Sequence, residues 1–568
     1  MGRKASFIAT LLLCPVLSPL PSLYPMDARD SEIKLLVNQA GYDLSCPKRI
    51  LLQTNFDPAL ILDYEIIKNN NTVYRGKWER PLKIDLWGLW YRATHLPISI
   101  PGEYRVRVLW EGRVIESPAF IVSANRLFEH TAPLAAYFFY AQRCGVEVPG
   151  WHAACHLDDA VLADGSHRDL SGGWHDAGDY NKYNGYTPLA VYALSQLAQS
   201  QALHTARWDK DFPSPQEEAL WGARWLVKCR DEKTGKIIGR VFSGFGFWGP
   251  PEAETDNAVG NEDDRKVDIL EWNENEMTVA AWASVYRMTG DDDWKRLALN
   301  LWQVVSAHDP GFSPVARAKR LLAATELSLS TGDLSFFEEG QREAIFLLSQ
   351  QERGGGWPLW PLAIVDYGLP SAALARFVLA FPESAVSSSI RAALLRSIEN
   401  WSSKMAQPFF IPRWSAEEVF YPYLPGGWYV GQNSMYLSQA WAGLLMGKVL
   451  PRQAPRLKRW VAGCLDWLLG VNPFGICMME GAGSVHLKMY HHRYDQIANG
   501  KNGRVPGAIP NGITRQRADV DRPYLDLEGK SWPTNEPWLP HNAYYLLVLS
   551  ERESRGRSQP ISSFSARR

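Results

Sequence analysis

From about residue 128 onward, one pattern recurs along the chain: stretches of similar length with apolar residues at three- and four-residue spacing, separated by turn-forming breakers. Leu189–Leu203, Glu217–Cys229, Glu276–Met288, Asp293–His308, Ala316–Leu329 and Ser335–Leu348 read as amphipathic helices. So do Ser371–Leu379, Ser388–Met405, Ser434–Met446, Arg456–Leu469 and Asn542–Leu549, for about twelve helices across residues 128–552. Helix pairs of one length stack into an array or close into a ring, and strand signals between them are few. Periodicity alone is equally compatible with an open solenoid.

The chain ahead of this region has a different texture. Ile33–Val37, Arg49–Leu52, Leu62–Ile67 and Tyr104–Val108 are strand-like runs, with breakers such as Asn69-Asn70-Asn71 and Pro101-Gly102 between them. Six to eight short strands over residues 31–124 predict a small all-β sandwich. Residues 1–25 carry Arg3 and Lys4 and then an apolar stretch from Phe7 to Leu17, too short for a membrane span and suited to an export signal. We therefore expect an exported protein, secreted or periplasmic, acting as a monomer without a membrane span. Residues 553–568, rich in Ser and Arg, read as a disordered tail. Charge is nearly balanced, with 60 basic against 61 acidic residues, and no long basic run exists, which argues against a nucleic-acid partner.

Chemistry concentrates in Ser171-Gly172-Gly173-Trp174-His175-Asp176-Ala177-Gly178-Asp179-Tyr180-Asn181-Lys182-Tyr183. Two carboxylates stand three residues apart among glycines that permit close approach, and a carboxylate so placed can take a proton from water. Trp174, Tyr180 and Tyr183 offer flat faces of the kind that grip a sugar ring, as do Trp357, Trp360, Trp428 and Tyr429 further on. A plain reading, an Asp-rich turn capping a helix, accounts for any short DxxD but not for the whole string.

That string resembles the water-activating motif of the inverting endoglucanases of glycoside hydrolase family nine. Further segments match in the expected order: Leu465-Asp466-Trp467-Leu468-Leu469-Gly470-Val471-Asn472-Pro473-Phe474-Gly475, then His491-His492-Arg493 and Val505-Pro506-Gly507-Ala508, then Thr534-Asn535-Glu536. The resemblance implies a mainly α protein: an (α/α)6-barrel catalytic domain over residues 128–552, preceded by an immunoglobulin-like sandwich. It implies Asp179 as catalytic base, Asp176 as a second holder of the same water, and Glu536 as the general acid. His492 and Arg493 would line the subsites beside the scissile bond. The chain departs from the family where Pro537 and Trp538 follow the acid in place of a small apolar pair, bulk that could close one end of a cleft.

Cys144, Cys155, His156 and His175 together offer two thiolates and two imidazoles, a donor set that satisfies tetrahedral zinc, though the spacing matches no compact finger. Relatives that carry the β-module often hold zinc here, so the resemblance implies a structural zinc, with a Cys144–Cys155 disulfide as the competing reading. Calcium is common in the family as well. Glu252, Glu254, Asp256 and Asp291-Asp292-Asp293 offer oxygens, but acidic loops are mostly solvated, and no calcium ligands are assigned. No cofactor is needed for the chemistry itself. The expected function is inverting hydrolysis of β-1,4-glucosidic bonds in cellulose-like or mixed-linkage β-glucans. The alternatives are an exo-acting β-glucosidase or exo-β-glucosaminidase on oligosaccharides, or a non-catalytic glycan-binding protein on the same scaffold.

Overall fold

The computed structural model describes residues 32–268, 275–358, 364–422 and 430–552. The expected export signal and C-terminal tail lie outside these residues.

Ten strands between Ile33 and Ser123 form two facing sheets. In spatial order the first holds Ile33–Leu36, Arg49–Thr54, Leu89–His95 and Leu82–Ile84. The second holds Tyr42–Asp43, Phe120–Ser123, Gly102–Trp110, Asp63–Lys68 and Asn71–Lys77, with Arg113–Glu116 hairpinned onto Gly102–Trp110. Arg49–Thr54 is buried on both faces because of the two-residue alternation of a strand. Ile50 and Leu52 enter the core between the sheets, while Leu51 points into the helical domain. The sandwich docks on the 465–475 motif: Asn38 donates to Asp466 at 2.9 Å, Gln39 to the Gly475 carbonyl at 2.7 Å, and Gln53 to the Pro473 carbonyl at 3.0 Å. Asn472 braces that loop from within, donating to the carbonyls of Trp467 and Ile476. This part of the motif is therefore a docking platform.

Among the described residues twelve long helices follow: α1 Arg126–Ala141, α2 Thr187–Ala198, α3 Pro215–Lys228, α4 Asn275–Thr289, α5 Asp292–Ser306, α6 Pro314–Thr331, α7 Leu334–Gln350, α8 Leu369–Ala380, α9 Ser387–Ser403, α10 Asn433–Val449, α11 Ala454–Leu468 and α12 Leu539–Ser550. The even-numbered helices pack in sequence, α2 on α4, α4 on α6, α6 on α8, α8 on α10, α10 on α12, and α12 back on α2. The ring closes, so the chain is an (α/α)6 barrel and not an open solenoid. The odd-numbered helices form the outer layer, and the inner ones are buried nearly all round, as their position requires. Outer helix α3 starts at a capping box, Ser214 with Glu217, and α5 and α7 start at Asp291 and Asp333. Inside the ring, Glu326 of α6 binds Arg287 of α4, Arg376 of α8 and Tyr192 of α2, satisfying a buried charge from three sides. Among the described residues, no helix is long and apolar enough to cross a membrane.

Candidate active site

Neighbouring inner helices α2 and α12 share one end of the barrel, and the loops entering their N-termini carry the candidate carboxylates. Asp176 and Asp179 lie on the loop before α2, and Glu536 lies three residues before α12. Two contacts lock these loops together. The amide of Leu539, at the start of α12, donates to the Asp176 carbonyl at 3.0 Å, and the Gly178 amide donates to Glu536 Oε1 at 3.3 Å. Gly178 and Glu536, 358 positions apart in sequence, are thereby brought side by side by the closure of the ring.

Gly178 has to be glycine. A Cβ there would lie 1.8 Å from the His491 carbonyl oxygen, because the 491–493 segment runs directly across it and the Arg493 amide donates to the Gly178 carbonyl at 2.9 Å. Gly178→Ala is expected to cost at least about 1–3 kcal/mol by overpacking, read as a lowered denaturation midpoint. An unchanged midpoint would refute this packing.

Thr534 and Asn535 hold the acid loop. Thr534 is buried and donates to Asn535 Oδ1 at 2.7 Å, and Asn535 Nδ2 donates to the carbonyls of Met489, Asp526 and Gly529. Burial pushes the Glu536 carboxyl well above the usual range, and the negative charges of Asp179 and Asp176 add to this, against the Gly178 amide and Arg493. A carboxyl in this setting holds its proton more tightly than a free one does. The stability consequence has a definite sign. The folded value is raised, so the contribution of the bound proton is fully present below the unfolded value of about 4.3 and is lost as pH rises through the folded value. Glu536→Gln, which does not titrate, should therefore gain stability relative to the parent from about pH 4.3 upward. Thermal unfolding of both proteins at pH 4, 6 and 8 checks this, and parallel curves would contradict it.

Asp179 is also pushed up, by burial first, while Arg493 and Asn181 pull it back. Asn181 donates its backbone amide to Asp179 Oδ1 and its side-chain amide to Oδ2, both at 3.1 Å, so the carboxylate is fixed in orientation. Asp176 is buried. Its Oδ2 accepts from the indole N–H of Trp538, and its Oδ1 has no hydrogen-bond partner among the described residues. Trp538, expected from sequence as steric bulk, is thus bound to a carboxylate, with its ring edge-on to Tyr186 at 4.8 Å.

Arg493 is fully buried, close enough to Asp179 to act on its charge. One guanidinium nitrogen donates to Glu254 Oε1 at 3.3 Å, while Nε and Nη2 have no partner among the described residues, leaving a fork of donors for a ligand. His492 corrects the expectation placed on it. It too is fully buried, Nε2 pairs with Gln142 Oε1 at 2.8 Å, and Nδ1 accepts from the Tyr494 amide at 3.0 Å. Gln142 in turn donates to the carbonyls of His175 and Ala177. His492 therefore holds the Asp176 loop from behind and has no ring nitrogen left for a sugar hydroxyl.

Trp174 and Tyr180 are likewise core residues, fully buried, with Trp174 donating to Glu218 and Tyr180 to the Gly249 carbonyl. Trp357 packs against Ser371. Trp360, Trp428 and Tyr429 lie outside the described residues. An aromatic surface that the sequence reading missed is the loop carrying Phe245, which is 68% exposed, with Phe247 and Trp248. Asn181, bonded to Asp179, ties this loop down through Ser243 and Gly244. Trp248 meets His491 edge-on at 5.0 Å, and the Arg493 guanidinium sits 5.9 Å from the Phe247 ring.

Behind the Asp176 loop, Cys144, Cys155, His156 and His175 are all buried, with ligand atoms within 4.8 Å of one another. Cys144 Sγ is 3.6 Å from His156 Nδ1, and Cys155 Sγ is 3.7 Å from His175 Nε2. Tetrahedral zinc with ordinary Zn–S and Zn–N bonds requires a sulfur–nitrogen edge of about 3.6 Å, so the quartet fits that ion. Both cysteines are free thiols and not partners in a disulfide. Burial pushes His175 down to about 3, so its imidazole is neutral, the form that binds a metal. The outer nitrogen of His156 pairs with Glu254 Oε2 at 3.0 Å. Although burial opposes it, the hydrogen bond from His156 and the charge of Arg265 hold Glu254 down to about 2. Glu254 thus joins His156 to Arg493 and is not free for the calcium role considered from sequence, and Asp291 caps a helix instead.

Residues 128–549 match the family model for glycosyl hydrolase family 9. The chain belongs to that family. It is a glycoside hydrolase. Among curated relatives of this family-9 chain, endoglucanase D of Acetivibrio thermocellus is 26% identical over 248 residues, covering 40% of the chain and 38% of the relative. The chain thus spans well under half the length of this relative. A xyloglucan-specific endo-β-1,4-glucanase of Bacteroides ovatus is 24% identical over 516 residues, covering 80% of the chain and 83% of the relative. Among solved structures, a thermostable endoglucanase from Alicyclobacillus acidocaldarius superposes with a TM-score of 0.71 at 21% identity, over 91% of this chain and 99% of that one. At that identity the likeness speaks for the fold.

Proposed function

We propose that this family-9 enzyme hydrolyses β-1,4-glucosidic bonds in cellulose-like or mixed-linkage glucans with inversion, cutting within the chain. The Gly178–Glu536 hydrogen bond carries the reading, because it sets a proton-holding carboxyl directly beside the Asp176–Asp179 pair. Asp179 takes a proton from water as the water oxygen bonds to the anomeric carbon, with Asp176 holding that water from a second side. Glu536 gives its proton to the departing glycosidic oxygen, so one bond forms, one breaks, and both carboxyls return to their starting state after proton exchange with solvent. Arg493 supplies donors next to the base, and the Phe245–Trp248 loop supplies aromatic faces for neighbouring sugars. That the relatives are endoglucanases for the most part favours internal cleavage over release from chain ends.

Activity should fall at low pH as Asp179 gains a proton, at a value above the ordinary carboxylate range, and at high pH as Glu536 loses one. We further propose that the Cys144, Cys155, His156 and His175 quartet holds a structural zinc that pins the loop carrying the base. Trp538→Phe removes only the donor to Asp176 and should lower kcat about tenfold with KM little changed, the size of one hydrogen bond to a charged group. Unaltered kcat would dismiss the role of that indole. The overall reading is tested by incubating purified protein with cello-oligosaccharides, mixed-linkage glucan, xyloglucan and chito-oligosaccharides. Mixed intermediate lengths from glucan support it, whereas single sugars released only from chain ends, or turnover only of chito-oligosaccharides, would replace it with the exo-acting alternative.

A further inference from the structure

Four groups converge on the carboxylate of Glu254, whose side chain is only 4% exposed. Its Oε1 accepts from the Ser243 hydroxyl at 2.8 Å and from Arg493 at 3.3 Å. Its Oε2 pairs with His156 at 3.0 Å and lies 3.9 Å from Arg265. Ser243 in turn sends its backbone amide to Asn181 Oδ1 at 3.0 Å, and Asn181 Nδ2 donates to Asp179 Oδ2 at 3.1 Å. The contacts therefore run from Asp179 through Asn181, Ser243 and Glu254 to Arg493. The backbone amide of Arg493 then returns to the Gly178 carbonyl, next to Asp179, at 2.9 Å. None of these residues lies in a long helix or strand, so this polar ring is what fixes them relative to one another.

A buried guanidinium with two unpartnered nitrogens, close enough to act on Asp179, is a hazard to a base. Left without another anion, Arg493 would close onto Asp179 as a direct ion pair. A carboxylate tied up in that way has fewer free lone pairs and is a weaker base. Among the described residues Arg493 forms its ion pair with Glu254 and none with Asp179. Asn181 answers a second need. An amide can present either oxygen or nitrogen, and the Ser243 amide on Oδ1 turns Nδ2 toward the carboxylate of Asp179. We infer, resting on the roles proposed above for Asp179 and Arg493, that Glu254 is a positioning residue for the reaction. It holds Arg493 off the base and, through Ser243 and Asn181, keeps the base in orientation. Arg493 thereby retains donors for a sugar, and Asp179 retains a lone pair for water. The role is separate from metal binding, because Glu254 touches the cysteine–histidine quartet only through the outer nitrogen of His156.

The test uses the full chain with cello-oligosaccharide as substrate, and follows zinc content and melting temperature in every variant. Glu254→Gln keeps the shape and removes the charge, and should lower kcat roughly 10–100-fold with KM changed by less than about twofold. Glu254→Asp, which keeps the charge on a shorter stem, should fall between the parent and Glu254→Gln. A double-mutant cycle identifies the cause. If the loss comes from Arg493 closing onto the base, Glu254→Gln should cost little in a chain that already carries Arg493→Met, so the two losses should not add. An unaltered kcat in Glu254→Gln, additive losses in the cycle, or a fall that tracks lost zinc would overturn the assignment. An active parent with an unaffected Glu254→Gln variant removes this role alone. A parent that hydrolyses no β-glucan removes the proposed function, and this role with it.

Discussion

Asp179→Asn and Glu536→Gln should each lower turnover of β-glucan by roughly 10²–10⁴-fold, the range that a positioned base or acid supplies. The two losses should not look alike when the leaving group changes. A glycoside whose leaving group is an acidic phenol departs without help, so Glu536→Gln should recover most of its rate on that substrate, and Asp179→Asn should not. The asymmetry follows from position: Asp179 is gripped by both amides of Asn181 and stands beside Arg493, while Glu536 is buried against two other carboxylates. If both variants recovered equally, the assignment of roles between the two residues would have to be dropped. Single-turnover rates on the aryl glycoside and on cello-oligosaccharide give the comparison.

Loss of the proposed zinc should be the second large effect. The quartet brings together three stretches of chain that carry no long secondary structure, around residues 144, 155 and 175, directly behind the Asp176 loop. Metal-bound sites of this type contribute folding free energy directly, so a strong chelator should lower the melting temperature by roughly 3–5 °C, corresponding to about 3–5 kcal/mol in a chain of this length. Cys155→Ser should lose the metal and show the same fall, and metal analysis of the parent should give one zinc per chain. A melting temperature that responds to a thiol reductant and not to the chelator would favour a disulfide instead.

The barrel was legible because its helices keep a strict three- and four-residue spacing, but ring closure was not, since it depends on α12 returning to α2. Helix α1 escaped a periodicity reading for a physical reason: it contains Pro133 and is buried almost all round, so it shows little contrast between faces. Leu189–Leu203 reads as one helix but breaks at Ser200, whose side chain caps a short second segment. At the site, the carboxylates and Arg493 could be read from their motifs. The inward turn of Trp174, Tyr180 and His492 could not, because aromatic and imidazole side chains serve cores and ligands equally well.

The central claim, direct attack by water activated by Asp179 with Glu536 as acid, is tested most directly by proton NMR of the first products from cello-oligosaccharide. Water attacking the face opposite the leaving group must yield the α-anomer first, with the β-anomer appearing only as the sugar mutarotates. Initial release of the β-anomer would mean a covalent intermediate and a different pair of carboxyls, and would contradict the account.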